Sequence, residues 1–220
     1  MTGPAGEALA TRGESSDPRS RILRAATDTL ATHGYQAVRL RDIAQAAGVS
    51  IGLLQHYFET RDELLLRAFE RSSMELLDRW ARVTDDRADP WQRITALVEQ
   101  LAGDPDLRRH CQLWIEFSAS GSRDPGLRSG VLRVYFAWRA LFNETIEEGI
   151  RRGEFRPALD PGEVADVLVA LVDGFELAIA AGTDTLDAER LRSLVLRTAA
   201  LALGLPLERA RREIDEGRSA

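Results

Sequence analysis

Apolar residues recur every three or four positions along most of the chain, and no stretch alternates apolar with polar in the manner of a half-buried strand. No Asn-Gly hairpin turn occurs. Five of the eight prolines follow aspartate, at Asp17-Pro18, Asp89-Pro90, Asp104-Pro105, Asp124-Pro125 and Asp160-Pro161. Aspartate accepts hydrogen bonds from the open amides of a first helical turn, and proline suits the first helical position. Each pair therefore marks a helix start, and Asp160 adds Glu163 at the spacing of a capping box. The pattern predicts about nine helices, over 18–32, 40–47, 50–58, 61–83, 90–102, 105–119, 125–152, 161–181 and 187–204. The fold class is all-α: an N-terminal three-helix unit followed by a C-terminal helical bundle.

The most informative stretch is Leu40 to Phe58, LRDIAQAAGVSIGLLQHYF. Ile43 and Ala47 lie one turn apart on a common face. Gly48 falls where a left-handed backbone ends the first short helix, and Ser50 caps the second. Ala44 is small where the helices cross, and Leu54 and Phe58 supply the inner face of the second. Two amphipathic turns around such a bend are the pattern of a helix-turn-helix.

The outer face of the second helix then carries Ile51, Gly52, Gln55 and His56, with Tyr57 at its margin. Glutamine can bond an adenine edge and isoleucine can touch a thymine methyl. Arg39, Arg41 and Arg61 flank the unit as candidates for phosphate contact, as do the amides at the Ser50 helix start. Helix-turn-helix geometry also occurs in proteins that bind no nucleic acid.

Charge adds to this picture. The 220-residue chain carries −6 overall, yet 18–61 holds six Arg against Asp28, Asp42 and Glu59, a net of +3, so the remainder sums to −9. A small basic segment on an acidic body suits a polyanion-binding end. All 29 basic residues are arginine, which reflects base composition rather than function. With 44% hydrophobic and 29% charged residues the chain reads as globular, apart from its ends. A single cysteine, Cys111, and no apolar leader in the first twenty residues predict a cytoplasmic protein. The apolar stretch 164–181 contains Asp166, Asp173 and Glu176, which makes it a poor membrane span.

Enzyme readings find little support. His33, His56 and His110 are scattered, His110-Cys111 lacks a second ligand pair, and no phosphate loop, GxGxxG, GxSxG or HExxH occurs. The expectation is a non-enzyme with no metal and no cofactor.

In the C-terminal half, 164–181 and 194–205 are too apolar for a monomer surface. Ala170, Gly174, Ala178 and Gly182 form a ridge of small residues at i, i+4 spacing. One reading is a two-fold dimer interface using Ala170, Gly174, Ala178, Leu194 and Leu201; the other makes both helices the centre of one core. Trp114 and Phe117, then Tyr135, Trp138 and Phe142, then Phe175 share helix faces that suggest a small-molecule cavity, or simply an aromatic core. Glu116, Asp173 and Glu176 border those faces, where they can meet a cation or a hydroxyl, or remain solvated carboxylates.

Ile43-Ala44, Ala47-Gly48-Val49-Ser50, Gly52, Leu54, His56-Tyr57-Phe58 and Arg61-Asp62-Glu63-Leu64-Leu65 resemble the tetracycline-repressor (TetR) family of bacterial transcription regulators. The resemblance covers about 18–66 closely and the rest by arrangement. It implies a homodimer that binds a palindromic DNA operator, acts as a repressor and lets go when a small-molecule effector enters the C-terminal domain. It also implies nucleoid association while DNA is bound.

Three positions depart from the common pattern: Leu53 where many members have threonine, Gln55 where many have tyrosine, and Arg61 where a lysine usually touches phosphate. Leu113-Trp114-Ile115-Glu116, Tyr135 with Trp138-Arg139, Gly153 with Phe155-Arg156, and Val172-Asp173-Gly174 look like the betaine-synthesis-regulator branch. The expected division is a disordered arm over 1–16, a helix-turn-helix DNA-binding domain over 17–62, a ligand-binding and dimerisation domain over 63–207, and a disordered tail over 208–220. The rival reading is a helical scaffold or ligand-binding protein without sequence-specific DNA binding.

Overall fold

A computed structural model describes residues 17–85, 89–183 and 187–217. The expected N-terminal arm lies outside the described residues. Among them the chain forms ten helices and no strand: α1 Pro18–Ala37, α2 Leu40–Ala47, α3 Ile51–Tyr57, α4 Arg61–Asp85, α5 Pro90–Ala102, α6 Leu107–Gly121, α7 Pro125–Arg151, α8 Pro161–Ala181, α9 Ala188–Ala202 and α10 Leu207–Gly217.

The Asp-Pro starts act as caps. Asp17 accepts from the amides of Arg19 and Ser20 at 3.3 and 3.1 Å, Asp89 from Trp91 at 2.7 Å, and Asp124 from Gly126 at 2.7 Å. Glu163 accepts from the Asp160 amide at 3.1 Å. Asp104 accepts from the Asp106 amide at 2.9 Å and hydrogen-bonds the His110 ring at 2.6 Å. That local turn delays α6 to Leu107, two residues beyond the expected start.

The chain divides into two compact units, one of Met1–Ser73 with Glu116–Val131, the other of Met74–Ile115 with Leu132–Ala220. A single cut after residue 62 therefore misses that the end of α6 and the start of α7 belong with the N-terminal helices. In the first unit α1 packs on α2 and α3, with Ile22, Leu30, Ile43, Leu54 and Phe58 at its centre. In the second, α9 packs against α5, α8 and α10 and supplies Leu191, Val195, Leu196, Ala199 and Ala200 to the core. Within one protomer α9 is thus mainly a core helix.

The tail is the clearest correction. Residues 207–217 are helical rather than disordered, with Ala210 and Ile214 in the core. Arg192, itself buried, pairs with Glu99 at 2.5 Å and donates to the carbonyls of Ile214 and Glu213 at 3.1 and 2.8 Å. It thereby ties the C-terminal half of α10 to α9 through backbone carbonyls.

Candidate nucleic-acid interface and effector site

The bend between α2 and α3 follows from its residues. Gly48 adopts φ 64° and ψ 40°, and its amide reaches back to Ala44 and Gln45. A side chain there would strain the left-handed backbone. Ser50 Oγ then accepts from the Leu53 amide at 3.1 Å, starting α3. Ile43 and Leu54 are fully buried, which pins the short helices together by their inner faces.

The opposite side of α3 is free of packing. Ile51 (44% exposed), Gly52, Gln55 and His56 are exposed, and Tyr57 is half-buried with its ring edge against His56 at 5.5 Å. A Cβ added at Gly52 would meet only Ser50 Oγ, at 4.0 Å, so the glycine leaves open room on this face. Arg39 and Arg41 are exposed, and their side chains have no hydrogen-bond or ion-pair partner among the described residues. This face therefore offers small, amide, imidazole and aromatic groups beside two unengaged guanidinium groups.

Arg61 differs. Its guanidinium donates to Val38 O and to Asp62 Oδ1, each at 2.8 Å, and to Tyr35 O, and it lies over the Tyr35 ring at 4.8 Å. Three of its five N–H donors are taken up by the protein, so it clamps the lead-in to α2. Sequence spacing carries no signal for this, because Tyr35 lies 26 residues away.

The residues expected around a small-molecule cavity separate into three groups. Phe117 belongs to the first unit, stacked on Phe69 at 4.2 Å and edge-on to Tyr35 at 5.4 Å. Trp138, Phe142 and Phe175 are buried in the core of the second unit, where Trp138 meets Trp80 at 5.2 Å and Phe142 at 4.9 Å. Tyr135 is half-buried with its ring against Phe136. Trp114, Asp173 and Glu176 form the third group, all half-buried.

That third group has unusual electrostatics. The Trp114 side chain hydrogen-bonds the Asp173 carboxylate, yet Asp173 Oδ1 is buried without a hydrogen-bond partner among the described residues. Burial raises the Asp173 pKa, and the Trp114 bond opposes only part of that rise. Glu176 is pushed up to about 8, by loss of water first and by the neighbouring Asp173 second. Neither carboxylate has an ion-pair partner among the described residues. Burial, with the nearby Glu176 and Asp104 charges, pushes the Cys111 thiol up to about 12, so it stays protonated and unreactive. No group of three or more His, Cys, Asp or Glu among the described residues is placed to hold a metal.

The outward face of α8 is apolar and uncovered in the protomer. Val167, Ala170, Gly174 and Leu177 are exposed, and a Cβ at Gly174 would meet nothing within 4 Å. Ala178 is half-buried; on α9 Leu194 is half-buried and Leu201 is 64% exposed.

Two family models match this sequence: one for bacterial regulatory proteins of the tetR family over residues 22–68, the other for the BetI-type transcriptional repressor C-terminal domain over 90–204. The chain belongs to the TetR family. Its relatives include the HTH-type transcriptional regulator BetI of Rhizobium meliloti, 28% identical over 157 residues, 71% of this chain and 74% of that protein. Another is the HTH-type transcriptional repressor KstR2 of Mycolicibacterium smegmatis, 26% identical over 68% of this chain and 73% of that protein. Among solved structures, a transcriptional regulator from Saccharomonospora viridis in complex with choline is 29% identical with a TM-score of 0.73, covering 80% of this chain and 92% of that one. The TetR-family chain is thus a transcriptional regulator, of a family whose members are not enzymes. None of its described helices is long and apolar enough to cross a membrane.

Proposed function

We propose that this TetR-family chain is a homodimeric repressor that binds a palindromic DNA operator and is released by a small organic cation. The observation that carries the DNA reading is the uncovered side of α3. Ile51, Gly52, Gln55 and His56 face outward beside Arg39 and Arg41, while Leu54 on the same helix is wholly buried. In such folds the second helix enters the major groove, with base edges read by its outer residues and register set by phosphate contacts. The amides at the start of α3 add phosphate donors near Ser50.

The apolar stripe on α8, with Leu201 on α9, supports an isologous dimer in which each copy covers the other. Two recognition helices about 34–36 Å apart then meet successive major grooves on one side of the duplex. An effector weakens binding by favouring a different spacing, in proportion to its differential affinity for the two states.

Trp114, Asp173 and Glu176 support a cationic effector. Two carboxylates partly withdrawn from water, with no ion-pair partner among the described residues, are pushed toward their protonated forms, and an incoming cation favours their ionised forms. An indole beside them suits a quaternary ammonium. The choline bound by the Saccharomonospora regulator makes choline the first probe. Selection of genomic fragments by the purified protein, then fluorescence anisotropy with and without choline or tetramethylammonium, tests both parts. No preference over scrambled duplexes refutes the operator reading. A preferred duplex whose binding and melting neither cation alters refutes the cationic effector alone.

A further inference from the structure

We propose that Glu116 is a positioning residue for operator binding, holding the entry to the helix-turn-helix through a carboxylate seated over a break in α1. The inference rests on the operator-binding reading above. The break is at Gly34, with φ 75° and ψ 161°, inside the otherwise helical run Pro18–Ala37. It takes the Tyr35 amide out of the helix ladder, and Glu116 Oε2 accepts from that amide at 2.6 Å. A carboxylate on a backbone amide makes a short, strong hydrogen bond. Glu116 Oε1 lies 2.8 Å from where a Cβ on residue 34 would stand. Glycine is therefore required for the backbone angle, and its lack of a side chain leaves the carboxylate its seat.

Tyr35 is held from every side. Its amide is bound by Glu116, its carbonyl by Arg61, and its hydroxyl donates to Asp62 Oδ1 at 2.8 Å. Its ring lies edge-on to Phe117 and beneath the Arg61 guanidinium. Burial and the Asp62 carboxylate raise the hydroxyl's pKa, so it remains a donor. Three residues on, the Val38 carbonyl takes the Arg61 Nε bond at 2.8 Å, and Arg39 then opens α2. The cluster thus fixes the peptide that leads directly into the reading unit, while contributing no group to its outer face.

The cluster is sensitive to small movements of α6. A displacement of about 1 Å would take the 2.6 Å bond beyond hydrogen-bonding length. Phe117, the next residue, is fully buried against Phe69 and Tyr35, so carboxylate and ring move together. Trp114 lies two residues earlier on the same helix, about 3 Å along its axis.

The test uses the whole 220-residue chain, a duplex chosen by the wild type, and a scrambled duplex. Glu116→Ala is expected to weaken binding to the chosen duplex about tenfold, leaving scrambled-duplex binding within about twofold. Amide exchange at Tyr35 should accelerate in the same variant. Glu116→Gln, which keeps an acceptor, should restore most of the affinity and the protection. Gly34→Ala, which obstructs the seat, should reproduce the Glu116→Ala loss. If Gly34→Ala does not fold, the Glu116 pair decides. Undiminished affinity for the chosen duplex in Glu116→Ala overturns the proposal. Equal loss on both duplexes with a lowered melting temperature also overturns it, since that is general destabilisation. A wild type that prefers no duplex overturns the operator reading first, and this inference with it.

Discussion

Leu201→Glu should separate the two copies without unfolding either. In the protomer Leu201 is 64% exposed and lies in the last turn of α9, so the isolated fold gains little from it. Complete burial of a leucine side chain contributes about 1.5–3 kcal/mol, and covering the exposed part of this one therefore contributes about 1–2 kcal/mol. An isologous interface repeats every contact, so the dimer loses about 2–4 kcal/mol, or about 30- to 1,000-fold in Kd. The new carboxylates add a desolvation cost if the partner covers them. Sedimentation velocity across a concentration series reads the dissociation directly, with circular dichroism as the check on folding. An unchanged dimer constant would show that Leu201 lies outside the interface, and a monomeric wild type would remove the interface altogether.

Gln55→Ala and Tyr57→Ala should each weaken binding to the selected duplex by about 1–3 kcal/mol with little change in melting temperature, as measured by anisotropy and calorimetry. Glu176 binds a proton more tightly in the folded chain, at about 8, than its ordinary value of 4.5. Its contribution to stability is therefore full below about pH 4.5 and lost progressively as pH rises to about 8, and Glu176→Gln should flatten that slope in melting temperature against pH. A slope unchanged in the variant would assign it to other groups. Arg192→Met removes the bonds to Glu99, Glu213 and Ile214 and should cost about 2–3 kcal/mol. Limited proteolysis should then cut first within 207–217; resistance equal to the wild type would show that α10 is held without Arg192.

What the sequence made legible was local. Asp-Pro pairs, the Gly48 bend and the Ser50 cap each act within four residues, and all three appear with the hydrogen bonds their chemistry requires. Likewise the inner and outer sides of α3 follow from helical spacing alone. The tail shows where that logic failed. Leu207, Ala210 and Ile214 do recur at helical spacing, but seven charged residues surround them, and the anchor for Ile214 is Arg192, 22 residues away. A short, highly charged helix has little stability of its own, so its order comes from packing that periodicity does not report. The same reason hid the roles of Arg61 and Glu116. Each is a charged residue at a position that local pattern assigns to solvent or ligand, yet each is engaged by backbone atoms of one distant turn. That turn is itself set by a glycine whose sequence signal is simply the end of a helix. The long-range partners, at separations of 26 and 81 residues, meet only because Phe117 and Phe69 bring the end of α6 onto the N-terminal unit. Recognition surfaces are therefore readable from one helix, whereas the parts that aim them depend on contacts between segments far apart in the chain.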